Sequence, residues 1–305
     1  MKKLIVLFEH PQWQVPLFDA LKKRGIPFEA WDLKKGFRRD TDGLGDALIF
    51  NQASPSAYLR GHTQAVPWAL SLLEILEADG MEVINGSKAF RFELNKALQS
   101  RVLEKASIDH PKSVFFNHPD ALLDLDLGLA FPAILKPNQG GSGARMFKVE
   151  SVEEVREILS DADIWAPDYV MLLQEYLPHD HVVRMEFLGG KLLYAMKIFS
   201  EGDVFNLCPS VSCNPEEGAG SCALDYNQPP RFEPFGDVPE VAVKVGEEIC
   251  ALGHLDIAGI EYLESADGRR VYYDINANSN LRLAIGEHFG FDPFERVVDY
   301  LVSRL

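Results

Sequence analysis

The sequence predicts an α/β protein in which a small parallel unit at the N-terminus precedes a larger region of short strands, hairpins and a few helices. Three observations predict it. Over the first ninety residues, apolar strand runs alternate with helix-period segments, the pattern of a parallel sheet. From about residue 112 the texture changes to short strand runs with one helix. Near the C-terminus two apolar runs meet at Asp267-Gly268, a favoured hairpin turn. A chain of 305 residues is long enough for two or three compact units.

The elements follow in order. Residues 4–8 are an apolar run after Met1-Lys2-Lys3 that stops at Glu9, too short for a secretory leader core, so a first strand is expected. Residues 15–23 read as a helix closed by Arg24-Gly25, 28–33 as a second strand and 47–50 as a third. A helix over 63–78 ends at Asp79-Gly80, and 81–84 is a fourth strand. No G-x-G-x-x-G follows the first strand, so this unit is not expected to hold a dinucleotide. Asn85-Gly86-Ser87 breaks the chain and can cap one long helix over 88–105. Ser151, with Glu153 and Glu154 behind it, opens the next helix. Residues 182–188 and 191–198 form a hairpin joined at Gly189-Gly190. Residues 200–238, rich in Pro, Gly, Asn and Asp, read as a long loop of the kind that is functional or disordered. A helix over 239–252, two strands and a last helix over 293–302 complete the chain. The expected division is 1–87 and 88–305, the second part comprising a small lobe at about 108–180 and a C-terminal lobe at about 181–305.

Thirty basic against 46 acidic residues leave a net charge of -16, which argues against a general nucleic-acid binder but not against one bound nucleotide. No apolar stretch approaches the roughly 18 residues of a membrane span, so no membrane partner is expected. Four cysteines suggest reduced thiols in the cytoplasm. Cys208, Cys213 and Cys222 lack the paired spacing of zinc sites and read as free thiols. His179 and His181 read as surface loop residues with substrate contact as the alternative. His10 stands at the C-terminal end of the first strand, where α/β ligand crevices occur, with an incidental histidine as the alternative; Tyr58, Arg60 and His62 precede a helix and could reach an interdomain cleft.

The strongest chemical signal is the hairpin of residues 259–264 and 271–276. With Asp267-Gly268 as a two-residue loop, 266 pairs with 269, which sets Glu261 directly opposite Asp274. Asp274 and Asn276 share a face by strand alternation, and Glu261 shares it too. Opposed carboxylates repel, so the arrangement makes sense around a divalent cation. Two carboxylates and an amide oxygen are hard ligands suited to Mg²⁺; a solvated acidic sheet face is the alternative.

Upstream, residues 131–137 form a buried-strand pattern ending at Lys136, whose burial costs free energy unless it meets an anion. Gly140, Gly141, Ser142 and Gly143 follow at once, a turn that lets backbone N–H groups surround phosphate oxygens, or a plain flexible turn. The apolar strand run 170–177 leads through Gln174-Glu175, which could meet an adenine edge and ribose hydroxyls or be an ordinary strand exit.

In this order, Lys96 on a helix, Lys136 on a strand, the glycine turn, Gln174-Glu175-Tyr176-Leu177, Arg184, Glu261 and Asp274-x-Asn276, the sequence resembles the ATP-grasp superfamily. It is most similar to RimK-like carboxylate–amine ligases, over about residues 85–283. The resemblance implies an ATP-grasp fold whose two lobes clamp ATP behind an N-terminal parallel α/β domain. It implies Lys96 and Lys136 on the phosphates, with the 139–145 loop, including Gly140, Gly141 and Ser142, closing over them. Gln174, Glu175 and Leu177 would line the adenine–ribose pocket, and Glu261, Asp274 and Asn276 would hold Mg²⁺, with Mn²⁺ as a substitute. Arg184 matches the arginine of a D-x-R segment and would face the transferred phosphate; Val182 stands where the acidic residue belongs, so that role passes to Asp180 or is absent. Lys197 is a looser candidate for the same pocket. Many relatives continue Asn-x-x-Pro-Gly after the metal hairpin, whereas this chain reads Asn276-Ala277-Asn278-Ser279-Asn280-Leu281-Arg282. Arg282 is a candidate for a substrate carboxylate or for a helix cap. The implied activity is amide or peptide bond formation from a small-molecule carboxylate and an amine through an acyl phosphate, in a homodimer or tetramer. A small-molecule kinase and a non-catalytic ATP-binding module are the alternatives.

Overall fold

The structure, a computed structural model, describes residues 2–36, 41, 43–122, 128–141, 143–199, 230–265 and 268–305. The N-terminal unit is the expected parallel sheet. Strands β1 (Lys3–Phe8), β2 (Phe28–Asp32), β3 (Ala47–Gln52) and β4 (Glu82–Ile84) lie in the order β2-β1-β3-β4. Residues Leu4 to Leu7 are buried on both faces, as a central parallel strand requires. Ile5 and Leu7 pack under helix α2 (Ala65–Ala78), and Leu4 and Val6 under α1 (Pro11–Lys23). The C-terminal helix α8 (Pro293–Arg304) joins α1 on that second face through Val297, Val298 and Leu301, so the chain's last element completes the core of its first unit.

The helix expected over 88–105 is two helices, α3 (Ser87–Glu93) and α4 (Lys96–Lys105). Asn95 leaves helical geometry, and its side chain accepts from Leu98 N at 2.9 Å, capping the second helix. Helix propensity over the whole stretch is outweighed by that local cap, and the break sets Lys96 in a first helical turn.

A second, antiparallel sheet has the order β5-β8-β6-β7, from β5 (Ser113–Phe116), β6 (Ala133–Pro137), β7 (Phe147–Val149) and β8 (Met171–Glu175). Helix α5 (Val152–Ile158) packs on it, capped as expected by Ser151. The third sheet runs β11-β10-β9-β12-β13, from β9 (Val182–Leu188), β10 (Lys191–Phe199), β11 (Arg231–Pro234), β12 (Ile257–Glu264) and β13 (Arg270–Asn276). Strand β11 corrects the reading of 200–238 as loop throughout; a four-residue edge strand leaves too little periodicity to detect. Residues 200–229, with Cys208, Cys213 and Cys222, lie outside the described residues. Helix α6 (Glu240–Gly253) covers one face of the third sheet. A short α7 (Leu283–His288), not expected from the sequence, precedes α8. Among the described residues no helix is long and apolar enough to cross a membrane.

One side chain clasps the units together. Asn85, fully buried with φ 52°, donates from Nδ2 to Ile257 O at 2.8 Å and to Ala277 O. Its Oδ1 accepts from Asp256 N at 2.9 Å and Ile257 N at 3.2 Å. The residue that ends the first unit thus pairs the backbone of the third sheet.

Candidate active site

Glu261 pairs with Asp274, Ile260 with Ile275 and Gly259 with Asn276, as the hairpin count predicts. The turn is not the predicted one. Glu264 pairs with Arg270, and Ser265 N donates to Arg269 O, so three residues close the loop instead of two. The pairing beside the turn is therefore one residue off the predicted count. A bulge at Tyr273 restores it, because Glu261 pairs with Asp274 while Tyr262 pairs with Tyr272. Ala266 and Asp267 lie outside the described residues.

The carboxylates on this face are matched by cations. Asp274 is paired with Lys96, and its Oδ2 accepts from Asn276 Nδ2 at 2.9 Å. Burial would raise the Asp274 carboxyl, but the charges of Lys96 and Lys136 outweigh it and hold it below the ordinary range. Glu261 accepts from Arg184 Nη1 at 2.8 Å and from the Tyr273 hydroxyl at 2.7 Å. Arg184 also donates from Nε to Glu186 Oε1 at 2.6 Å. The guanidinium fits there because residue 259, beside it on β12, is glycine; a Cβ would come within 2.0 Å of it.

Lys136 is buried at the end of β6 and donates to Gln174 Oε1 at 2.8 Å. Burial, then the charge of Lys96, pushes its ammonium down to about 7, a cost that an arriving anion would remove. Asn138 ties the start of the glycine turn to α4, its Oδ1 accepting from Ala97 N at 2.9 Å. The turn itself lies on the N-terminal unit: a Cβ on Gly141 would meet Ser56 Cβ at 2.6 Å and its backbone at 3.2 Å. Ser142 lies outside the described residues.

These groups border one cavity of about 360 Å³, lined by Ser54 and Ser56, Lys96, Lys136, Gly140, Gly141, Arg184, Glu261, Asp274 and Asn276. The 278–281 loop closes one side of it. Three parts of the fold meet there, the usual setting for a ligand site.

Other expected residues stand elsewhere. Gln174 joins through Lys136, whereas Glu175 accepts from Lys112 N at 3.2 Å, and the Leu177 carbonyl is bonded to His179; neither Glu175 nor Leu177 lines the cavity. Lys197 pairs with Val183, so alternation sends it to the face opposite Arg184, with Nζ 4.9 Å from the Phe235 ring centre. Arg282 caps α7, its guanidinium 3.4 Å from the Phe232 ring centre and its N–H donating to the Tyr194 hydroxyl at 2.8 Å. Asp180 bonds His181 on the surface, and the carboxylate beside Arg184 is Glu186. Glu186 was legible as the second charge in Arg184-Met185-Glu186, two residues apart on one strand face. Two further residues were missed. Tyr273 reads as an apolar filler and enters through the bulge. Glu93, at the end of α3, lines the cavity with Oε2 unpartnered among the described residues, and burial pushes its carboxyl up to about 8. Glu9 binds Arg60 at 2.5 Å and His62, and Arg60 Nη1 donates at 3.1 Å to Ser56 Oγ, which lines the cavity.

No protein-family model matches the chain. A solved structure of the ATP-grasp ligase PsnB with a minimal precursor, Mg and ADP superposes with a TM-score of 0.65 at 17% identity, covering 98% of this chain and 96% of that one. The RimK domain ATP-grasp protein of Sphaerobacter thermophilus superposes with a TM-score of 0.69 at 15% identity, over 98% and 99%. The chain has the ATP-grasp fold. The ATP-grasp resemblance read from the motifs is met at the level of the fold by both structures. In sequence, beta-citrylglutamate synthase B of Danio rerio is 24% identical over 316 aligned positions, spanning 97% of this ATP-grasp chain and 71% of the relative.

A cation at this site would have to suit its donor set. Among the described residues no three His, Cys, Asp or Glu side chains converge as a closed metal cage. Glu261, Asp274 and the Asn276 amide offer only a few oxygens, already balanced by Arg184 and Lys96. That set fits Mg²⁺, which is commonly held by one or two carboxylates together with phosphate oxygens and water.

Proposed function

We propose that this protein is an ATP-dependent carboxylate–amine ligase that forms an amide or peptide bond through an acyl phosphate, releasing ADP and phosphate. The observation that carries the reading is the convergence of Lys96, Lys136, Arg184, Glu261, Asp274 and Asn276 on one cavity beneath the glycine turn. In this reading Lys96 and Lys136 hold the ATP phosphates, and Gly140 and Gly141 approach them closely. Glu261, Asp274 and Asn276 hold Mg²⁺, or Mn²⁺ in its place, which supplies charge neutralisation on the phosphates. Gln174 fixes Lys136. Glu175 and Leu177 reach adenine and ribose only if the lobes close further. Lys197 and Arg282 are left without a part in the chemistry.

The reaction balances in two steps. A substrate carboxylate oxygen attacks the γ-phosphorus, the bond to the bridging oxygen breaks and ADP leaves. An amine nitrogen then attacks the acyl carbon, the acyl–oxygen bond breaks, inorganic phosphate leaves and the nitrogen gives up a proton. Phosphoryl transfer depends mainly on positioning and charge stabilisation, which Lys136 and Arg184 provide. An acyl phosphate needs protection from water, and the glycine turn docked on Ser56 covers that side of the cavity. A cytoplasmic setting is part of the same reading, supported by the low cysteine content.

Two consequences are specific to this geometry. Because the carboxylates are few and already paired, Mn²⁺ is expected to bind at least about tenfold more tightly with ADP present than without it, by titration calorimetry; equal affinity would mean a closed cage instead. Gly141→Ala is expected to raise the KM for ATP roughly tenfold, since overpacking against Ser56 costs about 1–3 kcal/mol. Gly140→Ala, whose Cβ would meet nothing nearer than 3.4 Å, is expected to stay near wild type. Reversal of that order would remove the docked-turn account.

The experiment that tests the function is ADP release with Mg-ATP against a panel of carboxylates, amino acids and dipeptides, with products read by mass spectrometry. A condensed product with stoichiometric ADP supports the ligase. A phosphorylated product formed without an amine assigns a kinase instead.

A further inference from the structure

We propose that the Tyr273 hydroxyl is a positioning group for the metal site: it holds the Glu261 carboxylate in the orientation that receives the cation. The inference rests on the Mg-ATP reading and deepens it. Strict alternation would turn Tyr273 away from Asp274, into the apolar face where Tyr262 and Tyr272 pack. The bulge opposes Tyr273 and Asp274 together to Glu261, so both residues line the cavity. Tyr273 then donates to Glu261 Oε2 at 2.7 Å while Arg184 donates to Oε1 at 2.8 Å. Each carboxylate oxygen is fixed by one donor and keeps a lone pair for a cation. A phenylalanine would keep the ring and the bulge but leave Oε2 free to rotate out of line. Groups that orient a metal ligand in this way commonly cost 10–100-fold in metal affinity or activity when removed.

The test is Mn²⁺ titration followed by electron paramagnetic resonance, with ADP bound, on wild type, Tyr273→Phe and Tyr273→Leu. Tyr273→Phe is expected to weaken Mn²⁺ about tenfold or more, with ADP affinity in EDTA unchanged. Tyr273→Leu is expected to match it in metal affinity, which separates the hydroxyl from the ring. Wild-type metal affinity in Tyr273→Phe overturns the proposal and leaves the ATP reading standing. Loss of metal-free ADP binding in Tyr273→Phe also overturns it, because the residue then shapes the pocket rather than the ligand. Absence of Mn²⁺–ADP binding in wild type overturns the ATP reading itself.

Discussion

Asp274→Asn is expected to cut ATP turnover by about 10²–10³-fold, the loss typical of removing one preorganised charge-stabilising group. The residue does more than supply an oxygen. Its carboxylate balances Lys96, accepts from Asn276 and faces Glu261 across the ladder. With a neutral amide there, Lys96 loses its anion, and the cavity gains positive charge where a cation must enter. Asparagine has nearly the same shape, so the fold should be retained, with an unchanged circular dichroism spectrum. The check is ADP release with the substrate pair found by the product screen, alongside Mg-ADP binding. Turnover within about threefold of wild type, set against that range, would remove the hairpin from the mechanism.

Asn85→Ala is expected to destabilise the protein by about 3–5 kcal/mol, because truncation strands several buried backbone groups at once. Asp256 N, Ile257 N, Ile257 O and Ala277 O all lose their partner, and alanine replaces asparagine at φ 52°. Asn85→Gly separates these contributions, since glycine accepts the backbone angle but makes none of the bonds. Urea denaturation should place both variants well below wild type, with glycine the milder. A loss under about 1 kcal/mol in Asn85→Ala, no more than one ordinary hydrogen bond, would mean that the clasp is not what joins the first unit to the third sheet.

Much of this arrangement was legible from local pattern. The parallel unit followed from alternating periodicities, and the Glu261–Asp274 pairing from counting outward from Asp267-Gly268. That count succeeded because two departures cancel: the loop is one residue longer than expected, and the Tyr273 bulge takes up the difference. Neither has a signature in the residues themselves. The break at Asn95 was hidden because capping is a side-chain choice made against strong helix formers on both sides. Face parity explains Arg184 and Glu186 together, but the predicted hairpin of β9 and β10, with 188 opposite 191, sets Lys197 on the Arg184 face; a bulge between Leu192 and Tyr194 shifts the register by one and turns it to the other. Glu93 and Ser56 could not be found from sequence, since their place depends on how separate units meet. The cap position of Arg282 was one of its two expected places, but its contact with Phe232 was beyond reach, because that residue sits on an edge strand that showed no pattern.

The most direct test of the central claim is oxygen transfer. The carboxylate substrate, labelled with ¹⁸O in both carboxyl oxygens, is turned over with Mg-ATP and the amine, and the released phosphate is analysed by mass spectrometry. Activation through an acyl phosphate predicts one ¹⁸O in each phosphate released, carried from the carboxylate that attacked the γ-phosphorus. Unlabelled phosphate, with the oxygen lost from the carboxylate found in AMP or water instead, would contradict it.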